Sequence, residues 1–191
     1  MVTLPHTGIQ VPDAALRVTT FQELPTPDGV AYTATVGWGR TKVGTIHQEG
    51  RGGLPYYLPV AGSTVNQRDL TAFAAASRHG DGQPLTEEDL LEEQITEYEH
   101  AAHVAKATRA GRSAVQLRAP LGAGPGLDEV YYTAERFPAA KITTVAQRAA
   151  LTTQLRKLTI PDGAWWQLWT GQAWEDLTTP SQPGPDRPGP R

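Results

Sequence analysis

The sequence predicts an α+β fold with three successive parts: an antiparallel β-hairpin or meander, a central helical layer and a C-terminal Trp-rich strand. Residues 30–38 alternate between large apolar side chains and small or polar ones, as a strand with one buried face requires. Residues 86–110 place apolar side chains at helical spacing behind an N-terminal capping pattern. Short turns join the predicted strands, which favours antiparallel pairing because a parallel pair needs a long crossover.

Composition indicates a loop-rich globular chain. Its 191 residues include 19 Gly and 16 Pro, and 39% are hydrophobic. We therefore predict a single α+β domain over residues 1–177 and a disordered Pro-rich tail over 178–191. The chain has no Cys, which excludes a disulfide scaffold, a Cys-ligated metal and a thiol nucleophile.

The first half of the chain contains the clearest β pattern. Residues 14–24 predict a strand, and the Pro- and Gly-containing stretch 25–29 predicts a turn. Residues 30–48 predict a β-hairpin whose turn is Gly39-Arg40. Two prolines in 54–59 favour an edge strand or an extended loop there.

Two predicted helices follow, each with a capping pattern. Asn66 and Asp69 can cap a short helix that should end near His79-Gly80. Thr86 and Asp89 approximate a capping box for the long helix 86–110, with Leu85 and Leu90 placed as its hydrophobic staple.

The second half of the chain repeats the mixture of strands and a helix. Strands are predicted at 112–119, 129–134 and 164–170, with a possible return at 173–175. A helix is predicted at 144–158, where Thr144 and Gln147 form a capping box. The Gly-rich stretch 122–126 is a loop and not a dinucleotide-binding turn, since an acidic, strand-like segment follows it.

A second Gly-rich loop, 50–53, is a candidate anion site. Gly50, Gly52 and Gly53 could present backbone N–H groups to an anion, with charge added by Arg40, Lys42 or Arg51. The Lys-Ser/Thr pair of a P-loop is absent. The alternative is a tight turn or bulge in which glycine provides positive φ.

Residues 30–58 resemble a segment of small uncharacterised proteins from phages and mobile elements. The similarity consists of the Val43-Gly44 hairpin, the run from Gln48 to Gly53 and the aromatic pair Tyr56-Tyr57. In those proteins the pattern is Asn-x-Gly-x-Gly-Gly, and Gln48 stands here at the Asn position. The resemblance implies a provenance and brings no activity with it.

Glu97, His100 and His103 recur at every third position of the long helix. Imidazole and carboxylate groups bind metals, but the His-Glu-x-x-His motif places its histidines four residues apart. We interpret this face as a solvated polar surface opposite Leu91 and Ile95, and we expect no metal or cofactor.

Two surfaces are candidates for partner binding. The long helix is strongly acidic, and Glu92, Glu93 and Glu97 could dock on a basic partner. Trp165, Trp166 and Trp169 fall on opposite faces of one strand, so one face can pack in the core while the other binds a partner.

The N-terminus lacks a secretory signal and the chain lacks a long apolar stretch, so we expect a cytoplasmic protein with no membrane partner. A net charge of −3 gives no basis for direct nucleic-acid binding. Our first hypothesis is a non-enzymatic protein-binding module, an accessory or inhibitor protein of a phage or mobile element. The alternative is a binder or enzyme for a phosphate-bearing small ligand, acting at the 50–53 loop.

Overall fold

A computed structural model describes residues 1–120 and 131–180 of the chain, and it confirms the α+β class. The chain divides into two compact units, Met1–Ala102 and His103–Arg191. Whether they fold as one domain over 1–177 stays a prediction. The predicted loop 122–126, the start of the predicted strand 129–134 and most of the predicted tail lie outside the described residues.

The first unit is built on a four-stranded antiparallel sheet in the order β3-β4-β5-β6. Its strands are β3 (Leu16–Thr26), β4 (Gly29–Trp38), β5 (Thr41–Glu49) and β6 (Tyr56–Pro59). The predicted hairpin is β4–β5 and turns at Gly39-Arg40. β3 continues through Pro25, in the stretch predicted as a turn; as an edge strand it tolerates a residue without an N–H.

Alternation along these strands directs one face of the sheet into the core. Val18, Ala34 and Ile46 are buried with helical residues such as Leu70 and Leu91. Thr33, Thr35, Thr45 and His47 occupy the intervening positions, so the opposite face carries polar side chains.

The N-terminal segment contains a small sheet absent from the sequence prediction. β1 (Val2–Thr3) pairs with β2 (Gln10–Val11), and Gln10 forms a bridge with Arg78. Strands of two residues give no periodic signal. The bridge also accounts for the early end of the first helix, since Ser77 is extended and the backbone of Arg78 bonds to Gln10.

Each of the three helices in the described residues begins directly after a capping residue that the sequence predicts. Asn66 caps α1 (Gln67–Ala76) and Thr144 caps α3 (Val145–Leu155), each in a complete capping box. Thr86 and Asp89 exchange hydrogen bonds at the start of α2 (Glu87–Arg109). Leu85 and Leu90 of the predicted staple are both buried.

The second unit contains an antiparallel sheet in the order β10-β9-β7-β8 and the helix α3. The strands are β7 (Ser113–Pro120), β8 (Tyr131–Ala139), β9 (Trp165–Trp169) and β10 (Trp174–Asp176). Val115, Trp166 and Leu168 form its core with Leu151 and Leu155 of α3. In the part of the chain that the structure describes, no helix combines the length and apolar character needed to cross a bilayer.

Candidate functional site

Internal hydrogen bonds hold the glycine loop after β5 closed. The Gln48 side chain accepts from Gly50 N at 2.6 Å and donates to Gly53 O at 3.2 Å, while Thr26 Oγ1 donates to Gly50 O at 3.1 Å. Gly50 has φ 74°, and a Cβ there would lie 2.7 Å from the backbone N of Ala31. The turn therefore requires glycine at position 50. The N–H of Gly50, which was predicted to bind an anion, donates to the Gln48 side chain instead.

Strand register separates the basic residues predicted to serve this loop. Lys42 pairs with Gly37 at the start of β5, whereas Glu49 pairs with Ala31 at its end. The nine residues of β5 span about 30 Å. Arg40 and Lys42 consequently lie at the far end of the hairpin from Gly52 and Gly53, and the structure brings only the exposed Arg51 to the loop.

The polar face of the same sheet holds a groove that the sequence analysis missed. His47 and Tyr56 stack with their ring centroids 5.9 Å apart, and His47 Nε2 lies 2.8 Å from Thr45 Oγ1. The groove encloses about 410 Å³ and is bordered by Leu24, which is 67% exposed, and by Glu49. The alternation of the strands is the feature of the sequence that could have predicted this groove. It places Thr33, His47 and Tyr56 in one row on the face opposite the core.

The acidic residues of α2 have different environments. Glu92 is exposed, yet partial burial, then Asp89 and Glu88, raise the pKa of its carboxyl group. Burial and the nearby Glu92 raise the pKa of Tyr32 to about 12. Of the acidic side chains of the helix, Glu88 and Glu92 are exposed, while Glu93 is half-buried.

Glu97 belongs to a polar cluster within the first unit. Its carboxylate accepts hydrogen bonds from His6 N at 3.0 Å, Thr7 N at 2.9 Å and Thr7 Oγ1 at 3.1 Å. Burial raises the pKa of Glu97, and these bonds lower it by a smaller amount. Glu97 therefore anchors the N-terminal segment to α2 and differs in this respect from the exposed Glu92.

The prediction of a solvated His face on α2 is wrong for His100. Its side chain is 0% exposed and meets the His6 ring edge to face, with centroids 6.4 Å apart. Burial lowers the pKa of His6 to about 4. Among the described residues, no group of three or more His, Cys, Asp or Glu side chains could hold a metal ion.

The tryptophans of β9 divide between its two faces, as alternation predicts. Trp166 is 1% exposed and packs edge to face on Phe137 at 5.5 Å, so it belongs to the core and is not accessible to a partner. Trp165 and Trp169 are half-exposed on the opposite face. Trp169 meets Trp174 of β10 at 5.4 Å, which adds a residue that the sequence analysis did not select.

Trp165, Trp169 and Trp174 form a partly exposed aromatic surface, which we call the Trp face, and a hydrogen bond orients Trp165 within it. Trp165 Nε1 donates to Asp176 Oδ1 at 2.9 Å, and Gln167 Nε2 donates to the same oxygen at 2.9 Å. Gln116 Nε2 donates to Gln167 Oε1 at 2.8 Å. The row of polar groups across β7, β9 and β10 holds the indole of Trp165 in one orientation.

No protein-family model, no curated protein and no solved structure matches this chain.

Proposed function

We propose that this chain is a non-enzymatic protein-binding module that uses the Trp face as its main contact surface. The observation that carries the proposal is the pair Trp169 and Trp174, half-exposed and in mutual contact at 5.4 Å. Tryptophan offers a large contact area at small cost in conformational entropy, and it is enriched among residues that dominate binding energies.

The ordering of this surface favours recognition. Trp165 is hydrogen-bonded to Asp176 before any partner arrives. Side chains already fixed in position lose less freedom on binding, so more of the contact energy appears as affinity.

The acidic first turns of α2 provide a second contact surface in this proposal. Glu92 is exposed and lies near Glu88 and Asp89, so a basic partner surface would be attracted to it. Glu97 contributes to this surface only by anchoring the N-terminal segment. An origin in a phage or mobile element, supported by the resemblance of residues 30–58, and a cytoplasmic location are parts of the same proposal.

The test is quantitative capture from host lysate with matched variants. We expect wild type to retain a stoichiometric protein, Trp169→Ala and Trp174→Ala to lose it, and Glu92→Lys to weaken it in a salt-dependent manner. Val145→Ala is the control because it also removes an exposed apolar side chain from the second unit. Identical capture by wild type and the two tryptophan variants would overturn the proposal.

A further inference from the structure

A basic pocket lies in the second unit, where the last turns of α2 face β8. It encloses about 250 Å³. His103, Lys106, Ala107 and Ala110 of the helix line one side, while Arg112, Arg136 and Pro138 line the other. Among the described residues that form the pocket, three are cationic and none is acidic.

The walls of the pocket are held by backbone contacts. Arg112 N bonds to Ala107 O at 2.9 Å, and Arg112 Nη1 donates to Pro138 O at 3.4 Å. The guanidinium of Arg112 is thereby directed toward β8, the strand that carries Arg136. Two arginines and Lys106 consequently border the same small volume.

His103 supplies an observation independent of these cations. Its ring is hydrogen-bonded to the backbone of Val115, and its Nε2 atom is buried with no hydrogen-bond partner. Nδ1 is therefore the atom that donates to Val115. A buried polar atom without a partner is costly, so a ligand or water that reached Nε2 would be stabilised.

The helix dipole explains only part of this arrangement. Cations in the last turn of a helix are favourable, which accounts for Lys106 and Arg109. Arg136 belongs to β8, so strand pairing and not the sequence of the helix brings it to the pocket. Burial, Arg136 and Lys106 together lower the pKa of His103, so the charges of the pocket act on this ring.

We propose that this pocket binds a phosphate-class oxyanion, either inorganic phosphate or a small phosphate monoester. Arginine and lysine are the side chains that bind phosphate oxygens, through charge-assisted hydrogen bonds. Nε2 of His103 accepts from a protonated phosphate oxygen when the ring is neutral, and donates to a deprotonated one when the ring is charged. Both forms of the ring thus complement a phosphate group.

The size of the pocket limits the ligand. Sites for drug-sized molecules usually exceed about 300 Å³, and this pocket is smaller. A phosphate group with a short substituent fits the available volume. The site goes beyond the protein-binding proposal, because no residue of the Trp face lines it.

The experiment is isothermal titration of the full chain with sodium phosphate, in a background of sodium chloride at constant ionic strength. We expect saturable binding by wild type, weakened about tenfold or more in Lys106→Gln and in Arg136→Gln. Arg109→Gln is the matched control, because it removes one positive charge from the same helix turn without lining the pocket. It should bind as wild type does.

A second readout needs no variant. The ¹⁵N resonance of His103 Nε2 should shift on phosphate addition and stay in place with added chloride. Titration with glycerol 2-phosphate then separates the two sources, since tighter binding than phosphate indicates a monoester and weaker binding indicates the free ion. No saturable phosphate binding, or equal losses in Arg109→Gln and Arg136→Gln, would overturn the site while leaving the Trp-face proposal intact.

Discussion

The carboxylate of Glu97 receives the backbone N–H of Thr7 at 2.9 Å, across 90 residues of sequence. The same oxygen accepts from His6 N and Thr7 Oγ1, so one side chain of α2 satisfies three donors of the N-terminal segment. Leu4, Ile9 and Val11 on either side of this contact lie in the core of the first unit. Glu97 therefore connects the start of the chain to a helix that begins more than 80 residues later.

Replacing Glu97 with Ala should destabilise the protein, because it leaves part-buried N–H groups without an acceptor. We expect a loss of about 1–3 kcal/mol in the free energy of unfolding, measured by urea denaturation. Glu92→Ala is the control, since Glu92 is exposed and should cost less than about 0.5 kcal/mol. Equal losses in the two variants would show that the bonds of Glu97 contribute nothing.

Acidification should destabilise the protein through His6. Its pKa is lowered from 6.5 to about 4 by burial, so between these pH values the unfolded chain binds a proton that the folded chain does not. The stabilising contribution is complete above pH 6.5 and is lost as the pH falls toward 4. Because the ring is only half-buried and solvent screens its charge, we expect this contribution to the free energy of unfolding to be about 1–2 kcal/mol.

Glu97 opposes this effect, since its raised pKa favours the folded state as the pH falls through its own titration range. His6→Asn removes the imidazole that causes the loss of stability. The melting temperature of this variant should therefore fall less between pH 7 and pH 4 than that of wild type. An NMR titration of the His6 ring gives a direct check, and a ring pKa near 6.5 would contradict the prediction.

The two faces of β9 should respond differently to truncation. Trp166→Ala removes a fully buried indole that packs on Phe137, and we expect a loss of about 3–5 kcal/mol. Trp169→Ala removes a half-exposed ring and should cost about 1 kcal/mol or less. Chemical denaturation followed by circular dichroism measures both; comparable losses would show that Trp169 is a core residue.

Gly44 should not tolerate a side chain. A Cβ at Gly44 would overlap the ring of Tyr57, whose hydroxyl donates to Val43 O at 2.8 Å within the core. We expect Gly44→Ala to cost about 1–3 kcal/mol by overpacking. Gly53→Ala is the matched control, because nothing lies within 4 Å of the added atom. Its melting temperature should stay within about 2 °C of wild type.

Local patterns in the sequence were sufficient to predict where the helices begin and which strand positions are buried. Asn66, Thr86 and Thr144 each mark the start of a helix because a cap depends on residues within one turn. The alternation in β4 and β9 predicts which side chains enter the core, because it depends only on strand geometry.

Long-range pairings lie beyond such patterns. Nothing near Glu97 in sequence indicates that its carboxylate meets Thr7, and nothing near His100 indicates burial against His6. Arg40 and Lys42 are close to Gly52 in sequence, yet the length of β5 separates them. The pocket at His103 was missed for the same reason, since Arg136 reaches it through strand pairing.

The distribution of indole rings allows the unfolding of the second unit to be followed separately by fluorescence. Trp38, which packs on Phe73 at 5.3 Å, is the single tryptophan of Met1–Ala102, and the other four lie between residues 165 and 174. In Trp38→Phe, all tryptophan emission reports on His103–Arg191. Superposition of its emission transition with the far-ultraviolet circular dichroism of the whole chain would indicate cooperative unfolding, and two separate transitions would assign an independent stability to each unit.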